Sequence, residues 1–314
     1  MGARDEHVPV LLQPALTALN LADDSIVIDA TYGRGGHSAA VLDHLGPHGR
    51  LFAVDQDLSA VEHAHRRFGA DARVTVCHAS FTELDRLAQE HDVYGQVSGL
   101  LMDLGVSSPQ LDKPERGFTF REDGPLDMRM DTSRGESAAA WLARVDEDEL
   151  TRVIRDYGEE RYARRIARKI VASRVEQPIT GTARLARVVA DAAGPSPPER
   201  HPATRTFQAI RIHINDELAA LERALAIGVD LLAPGGRFVV ISFHSLEDRR
   251  VKQAWAALAK PPAASRRMPV ARPFRPRLAL IGKMQRPDAL ECSANPRARS
   301  ARMRVAEKLA EVSP

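Results

Sequence analysis

The stretch SIVIDATYGRGGHS, Ser25 to Ser38, decides the fold. Ser25 to Ala30 holds a short apolar run that closes on an acid, the pattern of a strand buried on both faces of a parallel sheet, not the alternation of a half-exposed one. Gly33, Gly35 and Gly36 then make a turn whose backbone can take positive φ and approach a ligand closely, and the helix that follows offers free N–H groups to a polar or anionic ligand part. Outward from it, the same short runs recur at Leu51 to Val54, Val74 to Cys77, Val97 to Met102 and Arg237 to Phe243, with helix-length stretches at Ser38 to His44 and Leu58 to Phe68 between the first three. Strand and helix alternate as in a doubly wound α/β fold.

The first four runs follow one another at even spacing, but the fifth comes far later than a crossover needs, so something is inserted. The intervening sequence reads as helical: Asp146 to Asp156, Glu159 to Arg174 with a stripe of Tyr162, Ile166, Ile170 and Val171, and Thr182 to Ala193, which stops at GPSPPERHP. One further helix is expected from Ala203 through Leu232, ended by Ala233-Pro234-Gly235-Gly236. An inserted helical domain is placed at 113–213, with 1–112 and 214–314 folding together. Leu278 to Ile281 and Ala301 to Ala306 are read as an antiparallel edge pair, and the Pro- and Arg-rich stretch from Lys260 to Phe274 as a mobile loop.

The 314 residues carry 44 Lys plus Arg against 42 Asp plus Glu, a net charge of +2, which excludes a binder held to nucleic acid by bulk charge alone. The balance is uneven: 32 basic against 38 acidic residues through Lys260, then 12 against 4 beyond it. Cys77 and Cys292 form no CxxC pair, which supports neither a disulfide framework nor a cysteine zinc site. No apolar run suits a membrane span or a signal peptide, and the expected location is the cytoplasm.

A dinucleotide fingerprint starting at Gly33 would need glycine where Ser38 stands, which disfavours a nicotinamide cofactor. Asp55, at the end of the second strand and about 20 residues past the turn, suits the ribose hydroxyls of a nucleoside cofactor. Phe81 follows the third strand, where a ring either stacks on adenine or joins the core. Asp103 ends the fourth strand, at the edge where such folds bind ligands.

The blocks HVPVLL (His7 to Leu12), DATYGRGGHS (Asp29 to Ser38), AVDQD, MDLGVSSPQLD (Met102 to Asp112), GFTFREDGPLDMRMD (Gly117 to Asp131), SFHSLEDR (Ser242 to Arg249) and NPRARSARMRVAEK (Asn295 to Lys308) resemble, in order and over nearly the whole chain, the ribosomal RNA small-subunit methyltransferase H family. The resemblance implies a class I, Rossmann-like S-adenosylmethionine-dependent methyltransferase domain with an inserted all-helical domain. It implies methylation of N4 of a P-site cytidine in 16S rRNA, with the assembled 30S subunit as the expected partner and no metal. Carried over by position, Gly35, Gly36 and His37 form the cofactor turn, Asp55 the ribose acid, Phe81 the adenine-side contact, and Asp103 and Gln110 further cofactor contacts. Monomer and homodimer both stay open.

An exocyclic amine is a poor nucleophile, and acceptors on its protons relieve the charge that develops as it is methylated. Asp103 and the hydroxyl or carbonyl groups of Ser107, Ser108 and Pro109 are the candidate acceptors, and His244 is the candidate for the released proton or a phosphate contact. Phe118, Phe120 and Phe243 are candidates to stack on the base. Arg161, Arg164, Arg165 and Arg168, and in the tail Arg297, Arg299, Arg302 and Arg304, are candidate phosphate contacts, with a solvated helix face and a charged edge strand as the alternatives.

Overall fold

A computed structural model describes residues 9–194, 201–261 and 274–310. Of the stretch from Lys260 to Phe274 read as a mobile loop, residues 262–273 lie outside the described residues. Strands run in chain order as β1 Ile26–Asp29, β2 Arg50–Asp55, β3 Val74–His78, β4 Val97–Asp103, β5 Leu232–Ser242, β6 Leu278–Leu280 and β7 Arg302–Lys308. They form one sheet in the order β3-β2-β1-β4-β5-β7-β6. The first five are parallel and β7 is antiparallel to both neighbours, with Leu278 opposite Lys308 in the edge pair. This is the mixed α/β, Rossmann-like sheet the sequence predicts.

The helices are α1 Leu12–Leu19, α2 Gly36–Leu42, α3 Leu58–Phe68, α4 Leu84–Glu90, α5 Ser108–Asp112, α6 Ala138–Arg144, α7 Glu147–Gly158, α8 Ala163–Glu176, α9 Thr182–Ala192, α10 Thr204–Ile214, α11 Glu217–Leu231, α12 Ser245–Ala259 and α13 Ala289–Ala294. The chain divides into two compact units, residues 1–105 with 218–314, and residues 106–217.

In the first unit, side-chain alternation along each strand builds two cores from continuous apolar runs. Ile28, Phe52, Leu100, Met102, Phe238 and Val240 join Leu84, Leu225 and Trp255 on one face. Val27, Leu51, Leu101, Val239 and Ile241 join Leu16, Leu19, Val41 and Met303 on the other. Each such side chain contributes about 1.5–3 kcal/mol by burial, so polar interruption is tolerated only at strand ends. β5 is longer than predicted: Leu232 pairs with Val97, then the Pro-Gly-Gly segment loops out before Arg237 pairs with Gly99, Gly235 taking φ 82°.

The second unit is helical around Trp141, Leu150, Ile154, Ile166, Ile170, Leu185, Val189, Phe207 and Ile210. Asp146 and Ser137 cap α7 and α6 by accepting from the backbone N–H groups of Glu149 and Ala140. The single helix expected from Ala203 to Leu232 is two. Asp216 adopts a left-handed φ of 49°, and Asn215 closes α10 by donating to the Arg211 carbonyl. The apolar stripes of α10 and α11 are continuous in register, so periodicity alone does not show this break.

Candidate active site

The strand order reverses direction between β1 and β4, and the crevice beyond the carboxyl ends of strands at such a reversal is where open α/β sheets bind ligands. Three aspartates end strands there: Asp29 on β1, Asp55 on β2 and Asp103 on β4. Asp29 is buried and accepts from the Ser38 hydroxyl at 2.6 Å and from the Thr31 N–H at 3.3 Å. Asp55 accepts from the Gly33 N–H at 2.7 Å and the Asp57 N–H at 2.8 Å, one on each oxygen, tying the glycine turn to β2. Burial pushes both carboxyls up to about 6 against these hydrogen bonds.

Asp103 is held through its backbone: its N–H donates to Thr31 Oγ1 at 2.6 Å. Its side chain is less well matched. Oδ1 is buried with no hydrogen-bond partner. Burial, then the charges of Asp29 and Glu247, raise its pKa well above the carboxylate range.

Gly35 has φ 69°, and a Cβ there would lie 2.5 Å from the Tyr32 ring; one at Gly36 would lie 2.2 Å from the Pro9 ring. These glycines therefore admit the protein's own rings beneath the turn, a role that the ligand-approach reading did not include. His37, in the first turn of α2, is buried, with Nε2 at 3.2 Å from the Val10 carbonyl and Nδ1 at 3.8 Å from Asp103 Oδ2. Burial lowers its pKa to about 4, so the ring is neutral.

Other candidates are placed as follows. Phe81 opens a short 3-10 helix and packs partly buried against the first-unit core. His244 caps α12 beside Glu247, whose Oε1 lies 3.2 Å from His244 Nε2 and whose Oε2 accepts from the Phe243 and His244 N–H groups at 2.8 and 3.2 Å. Ser108 and Gln110 belong to the second unit, where Gln110 is buried and its Oε1 accepts from the Ser107 N–H at 2.9 Å.

Three readings are corrected. Phe118 is buried in the second-unit core. Phe120 is engaged with the rings of His201 and Phe207, each at 4.7 Å between centroids. Phe118 is therefore not free to stack on a base, and Phe120, partly buried, already stacks within its own unit. Arg302 and Arg304 both bind Asp248, the latter through Nε at 2.7 Å, so this part of the tail is a structural ion-pair cluster. Arg297 and Arg299 remain exposed. Arg161, just before α8, and Arg164, Arg165 and Arg168 on it are exposed, with Arg168 at 3.5 Å from Glu147.

Sequence reasoning missed Thr31, Glu247 and Glu291. The spacing of His244 to Glu247 is that of an N-cap and its N3 acid, a legible signal. Thr31 and Glu291 act across chain separations that no local pattern marks.

Among known proteins, the profile of the MraW methylase family matches residues 4–309. The ribosomal RNA small subunit methyltransferase H of Xanthomonas euvesicatoria pv. vesicatoria is 53% identical over 303 residues, covering 96% of this chain and 89% of that protein. The protein of the same name from Thioalkalivibrio sulfidiphilus is 53% identical over 306 residues, covering 97% and 98%. A solved rRNA methylase from Streptococcus thermophilus aligns with 98% of this chain and 100% of its own at 12% identity and a TM-score of 0.40, a likeness too slight to bear on the assignment. With identity above half across nearly its full length, the chain belongs to the MraW methylase family.

Proposed function

We propose that this protein methylates N4 of a P-site cytidine in the 16S rRNA of the small ribosomal subunit. As a family member it is an S-adenosylmethionine-dependent rRNA methyltransferase; the base, the atom and the assembled 30S particle as substrate are the finer part of the reading. The observation that carries it is the buried, donor-less Oδ1 of Asp103 at the end of β4, an acceptor held ready where the strand order reverses.

The residues fit the cofactor by their unspent acceptors. Each Asp55 oxygen accepts one backbone N–H and retains a lone pair, while Asp103 Oδ1 is buried without a donor. Gly35, Gly36, His37, Asp55, Phe81, Asp103 and Gln110 are proposed to hold it. When bound, S-adenosylmethionine supplies an activated methyl group.

Asp103 accepts from an N4 hydrogen and so localises the nitrogen lone pair for in-line attack. Ser108, five residues along the chain, offers a hydroxyl to the same amine. His244, kept in place by Glu247, takes the proton that N4 sheds on methylation. The second unit is proposed to recognise the RNA, and the cytoplasm is the proposed location; among the described residues no helix is long and apolar enough to cross a membrane.

The test is incubation with methyl-labelled cofactor and either 30S subunits or naked 16S rRNA, followed by mapping of the labelled nucleotide. Label on N4 of one P-site cytidine, faster on the particle, is expected. Label on another base or atom overturns the specificity, and equal rates on both substrates overturn the preference for the particle.

A further inference from the structure

Val10 and Leu11 share one peptide unit, and both of its polar ends are held. The Leu11 N–H donates to Glu291 Oε1 at 2.6 Å, and the Val10 carbonyl lies 3.2 Å from His37 Nε2. In a trans peptide these groups point in opposite directions. A carboxylate 280 residues along the chain and the histidine of the glycine turn therefore grip a single amide from its two sides.

The backbone at this point is strained. Leu11, buried and preceding α1, has φ 55° and ψ 35°, the left-handed region that a residue with a Cβ avoids. Such a conformation persists where surrounding contacts over-determine it, and the Glu291 carboxylate is what holds the Leu11 N–H in that geometry. The segment also lies against the turn itself, since the Pro9 ring occupies the space a Gly36 side chain would need.

The grip has a consequence for His37. A carbonyl only accepts, so its contact with Val10 puts the ring proton on Nε2 and leaves Nδ1 as an acceptor, directed at Asp103 Oδ2 across 3.8 Å. A carboxylate pulling on the N–H of an amide also makes that amide's oxygen a stronger acceptor. We infer that Glu291 is a positioning residue of the cofactor site: through the Val10–Leu11 amide it fixes the tautomer and orientation of His37, so that Nδ1 stays an acceptor beside Asp103.

This inference rests on the cofactor reading of His37 and Asp103 given above. It is tested with Glu291→Ala and Glu291→Gln, the latter keeping an acceptor oxygen without the charge. Nitrogen-15 NMR of labelled histidine reads the His37 tautomer in cofactor-free protein, and calorimetry reads the affinity for S-adenosylhomocysteine. The wild type is expected to show the Nε2–H tautomer. Glu291→Ala should show mixed tautomers and roughly tenfold weaker binding, the worth of one charge-assisted hydrogen bond, and Glu291→Gln should restore most of both.

An unchanged tautomer in Glu291→Ala, with or without weaker binding, overturns the inference, as does a Glu291→Gln protein as impaired as Glu291→Ala. If the wild type itself fails to bind S-adenosylhomocysteine, it is the cofactor reading that fails, and the tautomer comparison still tests the hold of Glu291 on His37.

Discussion

His37 Nδ1 and Asp103 Oδ2 face one another at 3.8 Å, one on a neutral ring and the other on a desolvated carboxyl. The distance is too long for a direct hydrogen bond, and the neutral ring makes it no ion pair. Asp103→Asn places an amide N–H in that gap. Without cofactor, the variant should be more stable than the wild type at neutral pH by about 1 kcal/mol, the net worth of one hydrogen bond, and melt about 2–4 °C higher. The same change should abolish most methyl transfer, because a carboxylate is the better acceptor for the developing positive charge on N4. Thermal melts and single-turnover rates check the two halves.

The pH dependence of that stability gap has a definite sign. Asp103 has a raised pKa in the folded protein, so its ionisation opposes folding once pH exceeds its unfolded value near 3.8. The advantage of Asp103→Asn should therefore be small below about pH 4 and widen as pH rises above it. Asp55, raised to about 6, acts in the same direction between about 4 and 6 in both proteins and cancels in the comparison, whereas Asp29, whose charge opposes ionisation of Asp103, widens the gap further as it ionises. Denaturant midpoints at several pH values measure the gap, and a gap that narrows with rising pH contradicts the assignment.

Asp248 behaves oppositely. It accepts from Arg304 Nε at 2.7 Å and Arg302 Nη1 at 3.1 Å, and despite partial burial these arginines hold its pKa below the carboxylate range. Its stabilisation is present above the unfolded value near 3.8 and is lost as pH falls below it. Asp248→Ala strands two half-buried guanidinium groups and should cost about 2 kcal/mol, less than a fully buried pair because both arginines keep some solvent. Replacing Arg297 and Arg299, which are exposed, should leave stability within about 0.5 kcal/mol. If they contact phosphate, the same replacement flattens the salt dependence of RNA binding by roughly 0.7–0.9 per arginine.

These two arginine pairs show where the sequence was informative. Strand positions were legible because burial on both sheet faces demands continuous apolar runs at Ile26, Leu51, Val97 and Phe238, and local composition records that demand. The aspartates at strand ends were legible for the same reason: an acid that interrupts such a run marks its end. That Arg302 is tied down depends on Asp248, some fifty residues away, and no pattern around the arginine encodes it. Phe118 and Phe120 misled because a ring in a polar stretch reads as exposed, while here the 117–134 segment folds its own charges together, Asp127 with Arg129 and Asp131 with Arg134, and turns the rings inward.

Asn215 holds that segment to the end of α10. Its Oδ1 accepts from the Met130 N–H at 2.7 Å, and its Nδ2 donates to the Met128 carbonyl at 2.8 Å and the Arg211 carbonyl at 2.9 Å. Met128 has a left-handed φ of 64°, so the segment cannot keep this path without outside support. Asn215→Ala removes all three bonds and leaves the Met130 N–H and Met128 carbonyl to find water. The expected loss is about 2–3 kcal/mol, confined to the second unit, with Asn215→Asp recovering only the acceptor contact to Met130. Hydrogen exchange should then show the amides of 126–131 opening first. Because Asn215 and its partners Met128, Met130 and Arg211 are not among the proposed cofactor contacts, affinity for S-adenosylhomocysteine should stay at the wild-type value while methyl transfer to RNA falls, and an equal fall in both would refute this separation of tasks.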